Sequence, residues 1–138
     1  MPFIAKNKVR MHDTDMAGIL YFARQFRFVH DTMEECWEYE GLDLQKVFHE
    51  EKFVFVIVHC EADYFHPLHV GDKLEVHLSC QRIGEHSFTL FYEIFREGKE
   101  NLLVGTARTV HVSLNSTTRE KVLVPKKFRA LLEKYSVG

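Results

Sequence analysis

Between Phe22 and Tyr39 the apolar positions Phe22, Phe26, Val29, Met33, Cys36 and Trp37 recur at steps of three and four, which is one stripe of an amphipathic helix. Gly41 follows as a C-terminal stop, so the spacing predicts a helix about 27 Å long. Its opposite face carries Arg24, Gln25, Arg27, Glu34, Glu35 and Glu38. Beyond a loop at 41–52 the texture changes to long β-branched and aromatic runs, which read as strands. The run FVFVIVHCEADYF (53–65) opens as nearly continuous apolar sequence and predicts a strand buried on both faces. KLEVHLSCQ (73–81) alternates, with Leu74, Val76, Leu78 and Cys80 on one side. SFTLFYEIF (87–95) groups Phe88, Leu90, Tyr92 and Ile94, and LLVGTARTVHVSLN (102–115) aligns Val110, Val112 and Leu114.

The breaks RIGEH and REGKEN are hairpin-sized and hold one glycine each, so the strands they join pair antiparallel. A first strand over Phe3 to Met11 and a last helix over Lys126 to Tyr135, entered after Pro125, complete the order β, long α, four long β, short α. One long amphipathic helix needs a surface to bury its stripe. The expected class is therefore α+β, a single domain over 1–138 in which a curved antiparallel sheet of five or six strands wraps the central helix. Such a sheet leaves an edge uncovered, so the chain is expected to be a homo-oligomer, a dimer at least and a tetramer in its fuller form.

Composition narrows the partners. Eighteen basic and twenty acidic side chains give a formal charge of −2 without long blocks of one sign, so nothing points to nucleic acid. No signal-peptide core and no run of about 20 apolar residues is present, so the expectation is a cytoplasmic protein without a membrane partner. Twelve phenylalanines and five tyrosines are a surplus for this length and suggest an oligomer contact or an aromatic pocket, with Trp37, Phe88 and Tyr92 assigned to the core. Cys36, Cys60 and Cys80 lie far apart among apolar neighbours and read as reduced core thiols.

The segment HDTDMAGILYF (12–22) is unlike the rest. Asp13 and Asp15 flank Thr14, Ala17 and Gly18 let the backbone turn tightly, and Ile19 to Phe22 lead into the long helix. A helix N-terminus offers free N–H groups that polarise a carbonyl, and a nearby carboxylate attacks it or activates water. That pairing suits acyl transfer, whereas the plainer reading of such an aspartate is a turn or N-cap residue. The spacing of His12, His66 and His69 does not form a metal motif, and no metal site is expected.

DTDMAGILYFARQF, VHDTMEE and IVHCEADYFHPLHVGDKLEVHL resemble the hotdog-fold acyl-CoA thioesterases of the 4-hydroxybenzoyl-CoA thioesterase family over nearly the whole chain. The family pattern is Asp-x-Asp-x-x-Gly followed by two apolar residues and an aromatic one. Later come Tyr or Phe, Pro and Gly-Asp, matched here by Tyr64 or Phe65, Pro67, Gly71 and Asp72. The resemblance implies a hotdog fold and hydrolysis of an acyl-CoA thioester to acid and free coenzyme A. It implies no cofactor, coenzyme A being part of the substrate. It places the catalytic carboxylate at Asp15, the carbonyl-polarising N–H at Phe22, and substrate-binding positions at Gly18, Tyr21, Phe22 and His59. Arg82, Arg96, Arg119 and Lys121, at strand ends, are the candidates for the phosphates of coenzyme A. Phe22 where related thioesterases carry histidine, together with His30-Asp31, is most similar to the 1,4-dihydroxy-2-naphthoyl-CoA hydrolase branch, which implies an aromatic acyl group. Met16, Arg27, Phe28 and Met33 depart from the residues usual there. Other aryl or short-chain acyl-CoA esters, a non-catalytic acyl-CoA-binding role and a hydratase are the competing readings on the same fold.

Overall fold

The computed structural model describes residues 1–43, 45–46 and 52–137; much of the loop read at 41–52 lies outside them. Five strands, β1 (Phe3–Lys8), β2 (Phe53–Tyr64), β3 (Lys73–Ile83), β4 (Ser87–Arg96) and β5 (Leu102–Asn115), form one antiparallel sheet in the order β1-β3-β4-β5-β2. Helix α1 (Gln25–Tyr39) lies across its inner face, and α2 (Lys126–Lys134) closes one end. Both predicted hairpins pair antiparallel. The first strand is shorter than its apolar pattern suggests, because a one-turn helix at Met11–Asp13 follows it.

The inner face is built from the alternating sets of β3 and β4: Leu74, Val76, Leu78, Cys80, Phe88, Leu90, Tyr92 and Ile94 are all buried. Helix α1 adds Phe28, Val29, Cys36 and Trp37. Burying one phenylalanine side chain as completely as Phe28 contributes about 2–3 kcal/mol. Trp37 meets Phe128 of α2 edge-on at 4.9 Å, and Phe55 bridges Phe128 and Phe88.

Four sequence expectations change. The helix begins at Phe22 as expected, but as a tight turn over Phe22–Arg24 before α1. Its buried face is centred on Gln25, Phe28, Val29, Thr32 and Cys36, so Gln25 and Arg27 are not on a solvated face. The stripe Phe26 and Met33 instead flanks this face on the β2 side, half-buried. Strand β2 is not buried on both faces but is an edge, exposed from Ile57 to Glu61. A bulge between Ile57 and His59 explains the misleading run: Phe53, Phe55 and Ile57 pair with the inward residues of β5 before it, and Cys60, Ala62 and Tyr64 after it. Cys60 is accordingly exposed rather than core, whereas burial pushes the Cys36 thiol up to about 12 and the Cys80 thiol to about 11. Among the described residues no helix is long and apolar enough to cross a membrane.

Candidate active site

The segment before α1 folds back on itself. Tyr21 donates its N–H to Asp13 O at 2.8 Å, Thr14 bridges Leu20, and the Asp15 N–H reaches Ile19 O at 3.0 Å. At the tip Gly18 adopts φ +80° and donates to Asp15 O, a left-handed turn that a side chain would strain. Asp15 is exposed there. Its Oδ1 accepts the Ala17 N–H at 2.8 Å, and its other oxygen has no partner among the described residues. The HPLHVGD segment staples this loop to the sheet: Leu20 N–H donates to Leu68 O, Ile19 bridges His69, and Asp72 Oδ2 holds the His69 N–H at 2.9 Å. Of the residues matching the family pattern, Asp72 thus supports the loop through His69, and the Gly71 N–H holds Val9 O behind it.

The two aspartates have opposite surroundings. Asp13 is fully buried and accepts from Arg27 Nε at 2.7 Å, from Arg27 Nη2 at 2.5 Å and from the Arg10 N–H at 2.8 Å. Burial alone pushes its carboxyl up, but the Arg27 and Arg10 hydrogen bonds and the Arg27 charge outweigh it and hold it below the usual carboxylate range. Arg27 also holds Lys8 O and Asp31, so one guanidinium ties β1, the loop and the helix together.

The start of the helix is pinned from below. Gln25, 1% exposed, donates its amide to Asp63 O on β2 and to Thr106 O on β5, at 3.1 and 3.0 Å. This approach exists because residue 105 is glycine: a Cβ there would stand 2.8 Å from Asp63 O and 2.9 Å from both polar atoms of the Gln25 amide. Tyr64 Oη donates to Phe22 O at 2.6 Å. With the carbonyl engaged and the turn only beginning, the Phe22 N–H has no acceptor among the described residues, as a first helical N–H should not.

Asp15, Gly18, Tyr21 and Phe22 are therefore assembled in one place. The Tyr21 and Phe22 rings meet at a tilt, 4.9 Å apart, but stay exposed, beside an open groove of about 310 Å³ between Ile19–Phe22 and Tyr64–Leu68. Arg96 stands at that end, donating to Pro67 O at 3.3 Å. Arg82, Arg119 and Lys121 lie toward the other end of the sheet, since Arg82 pairs with Thr89 while Arg96 pairs with Leu74, and Lys121 bridges Leu114. His59 sits on the exposed β2 edge, 3.5 Å from Glu61, five residues along the strand from Tyr64. Among the described residues no group of three or more His, Cys, Asp or Glu is placed to hold a metal ion.

Sequence reading missed the inner face of β5. Val110, Val112 and Leu114 point to the outer side, while Thr109, His111 and Ser113 are buried toward the helix. The available signal was polar residues alternating within an apolar strand. Between α1 and β2 lie two abutting cavities of about 180 and 130 Å³, which share His30, Met33, Ile57 and His111, with Thr109 lining the smaller one.

Sheet order, wrapped helix and the loop before it define the hotdog thioesterase class. The sequence profile of the thioesterase-like superfamily matches residues 9–132, and the chain belongs to that superfamily. A 1,4-dihydroxy-2-naphthoyl-CoA hydrolase of Prochlorococcus marinus (strain NATL1A) is 37% identical over 131 residues, covering 90% of this chain and 85% of the relative. The enzyme of that name from Nostoc punctiforme is 35% identical over 133 residues, covering 96% and 88%. The crystal structure of a 1,4-dihydroxy-2-naphthoyl-CoA thioesterase from Synechocystis superposes with a TM-score of 0.88 at 30% identity, covering 96% of both chains.

Proposed function

We propose that this chain hydrolyses an aromatic acyl-CoA thioester, with 1,4-dihydroxy-2-naphthoyl-CoA as the best-supported substrate, acting in the cytoplasm without a cofactor. The observation that carries the reading is the pairing of an exposed carboxylate, Asp15, with an unengaged helix-start N–H at Phe22, on a loop clamped from three sides. The thioester carbonyl oxygen rests on the Phe22 N–H, which stabilises the developing oxyanion. Asp15 either attacks the carbonyl carbon or removes a proton from the attacking water. On the first route the Asp15–acyl C–O bond forms as the C–S bond breaks, and water then hydrolyses the resulting anhydride, restoring the carboxylate and giving a proton to the thiolate; on the second, the water oxygen forms the C–O bond as the C–S bond breaks, and the proton held by Asp15 passes to the thiolate. Both give acid and free coenzyme A. Gly18 keeps the approach to Asp15 open. The groove beside Phe22 takes the pantetheine arm, with Arg96 at its mouth, and the acyl group follows α1 from Phe26 inward.

The outer edge of β2 has no strand partner among the described residues and carries exposed Ile57 and Val58, so two copies join along this edge. A two-fold axis there runs the strands antiparallel and brings Arg82, Arg119, Lys121 and His59 of one copy toward the Asp15 end of the other. Light scattering is expected to give at least two chains per particle, and Val58→Lys to move the mass toward one. A single-chain mass for the unsubstituted protein would remove this arrangement.

Thiol release measured across aryl and alkyl CoA esters is expected to favour bicyclic aryl esters. A preference for short aliphatic esters would remove the naphthoyl assignment, and absence of thiol release with every ester would remove the thioesterase reading.

A further inference from the structure

The cavities along α1 have largely apolar walls, with His111 and Thr109 built in from the sheet and His30 and Glu34 on the helix side. Tyr92 is fully buried, and the only partner of its phenol among the described residues is Thr109 Oγ1 at 3.4 Å. A sealed phenol with one partner donates to it. With the phenol donating, Thr109 is left to donate its own proton to His111 Nε2, 2.8 Å away, which assigns the hydrogen of the neutral imidazole to Nδ1. Phe88 stacks flat on this ring at 4.8 Å and 5°, which fixes its plane.

His111 is 2% exposed, and its Nδ1 has no partner among the described residues. The polar side-chain atoms sealed without a partner among those residues are His86 Nδ1 and Ser113 Oγ, so His111 Nδ1 is not sealed by protein. It opens into the space that His111 lines. Burial, with the His30 charge adding to it, pushes the imidazole down to about 4 and keeps it neutral near pH 7. The result is an uncharged, oriented N–H donor on the buried wall of a largely apolar chamber whose exposed side carries His30 and Glu34. The chamber begins at Phe26, one helical turn past the carbonyl-binding N–H of Phe22.

We infer that His111 is a specificity-determining residue, whose Nδ1–H donates to an oxygen on the distal part of an aromatic acyl group and selects oxygen-bearing aryl thioesters over bare ones. This rests on the thioesterase reading and adds to it the chemical feature of the acyl group that is read. Tyr92 and Thr109 act behind it as positioning residues that set the tautomer. A ligand without the oxygen leaves the donor unpaired in an apolar wall, which is the stronger source of discrimination.

The test compares kcat/KM for a ring-hydroxylated naphthoyl-CoA with that for unsubstituted naphthoyl-CoA in the same preparation. The hydroxylated ester is expected to be favoured by about tenfold or more in the unsubstituted enzyme, and the ratio to fall toward one in His111→Phe. Thr109→Val, which keeps the imidazole but frees its tautomer, is expected to give an intermediate ratio. A second readout needs no substitution: the His111 ring nitrogen resonances should shift on adding a hydroxylated naphthoic acid and not on adding naphthoic acid itself. An unchanged ratio in folded His111→Phe, or equal shifts with the two acids, would overturn the inference while leaving the hydrolase reading in place. If the unsubstituted protein releases thiol from neither ester, the naphthoyl reading fails, and the ring shifts still judge the chamber on their own.

Discussion

Asp15→Asn is expected to fold normally and to lose turnover by at least about 10³-fold. The two halves of this expectation have separate causes. Asp15 is exposed, and the contact it makes in the fold is as an acceptor of the Ala17 N–H, which the asparagine carbonyl reproduces. The turn at Gly18 and the ladder from Thr14 to Leu20 are untouched, so thermal and denaturant midpoints should stay within about 0.5 kcal/mol. An amide neither attacks a thioester nor takes a proton from water at neutral pH, so chemistry is lost while the Phe22 N–H still binds the carbonyl. KM should therefore change far less than kcat. Near-normal thiol release by the folded variant would remove Asp15 from its role. Single-turnover hydrolysis in oxygen-18 water separates the two routes in the unsubstituted enzyme, since label enters the Asp15 carboxylate only if that carboxylate attacks.

Asp13→Ala is expected to be the more damaging change to stability, by about 3–5 kcal/mol. It leaves the Arg27 guanidinium half inside the protein facing Lys8 O and Asp31 with its main counter-charge gone, and it removes the acceptor for the Arg10 N–H. The pH dependence follows from the depressed carboxyl of Asp13. Its contribution is fully present above the ordinary aspartate value of about 3.9 and is lost as pH falls through the lower value in the folded state. Denaturant midpoints of the unsubstituted protein should thus fall between pH 5 and pH 2 by more than those of Asp13→Asn. Equal slopes for the two proteins, or a cost under about 1 kcal/mol for Asp13→Ala, would show that the buried pair is not what holds the loop.

What was legible in the chain follows from how locally each feature is encoded. Alternation in β3 and β4 and the hairpin breaks between β3, β4 and β5 are short-range patterns, and they gave the sheet correctly. The loop with Asp15, Gly18 and Phe22 is equally local and stood out for the same reason. The partnership of Asp13 with Arg27 spans a turn, a loop and part of a helix, and nothing in the spacing marks it. Nor does a pattern announce that Gln25 faces inward: the space for it is made eighty residues away, by the missing side chain of Gly105. His111 and Thr109 were hidden because burial is usually read from apolar residues, and in this half of β5 the apolar Val110, Val112 and Leu114 face outward.

The bulge in β2 has a bearing on how such a protein diversifies. Because one extra residue resets the alternation between Ile57 and His59, the strand is two short modules in different phase. Cys60 to Tyr64 holds the helix start through the tyrosine hydroxyl and the Asp63 carbonyl, while Phe53 to Ile57 walls the chamber near His111. Substitutions over Phe53–Ile57 retune what the chamber admits without transmitting a shift to the reacting end. Relatives of this chain could therefore drift among aryl substrates while their hydrolytic apparatus stays unaltered.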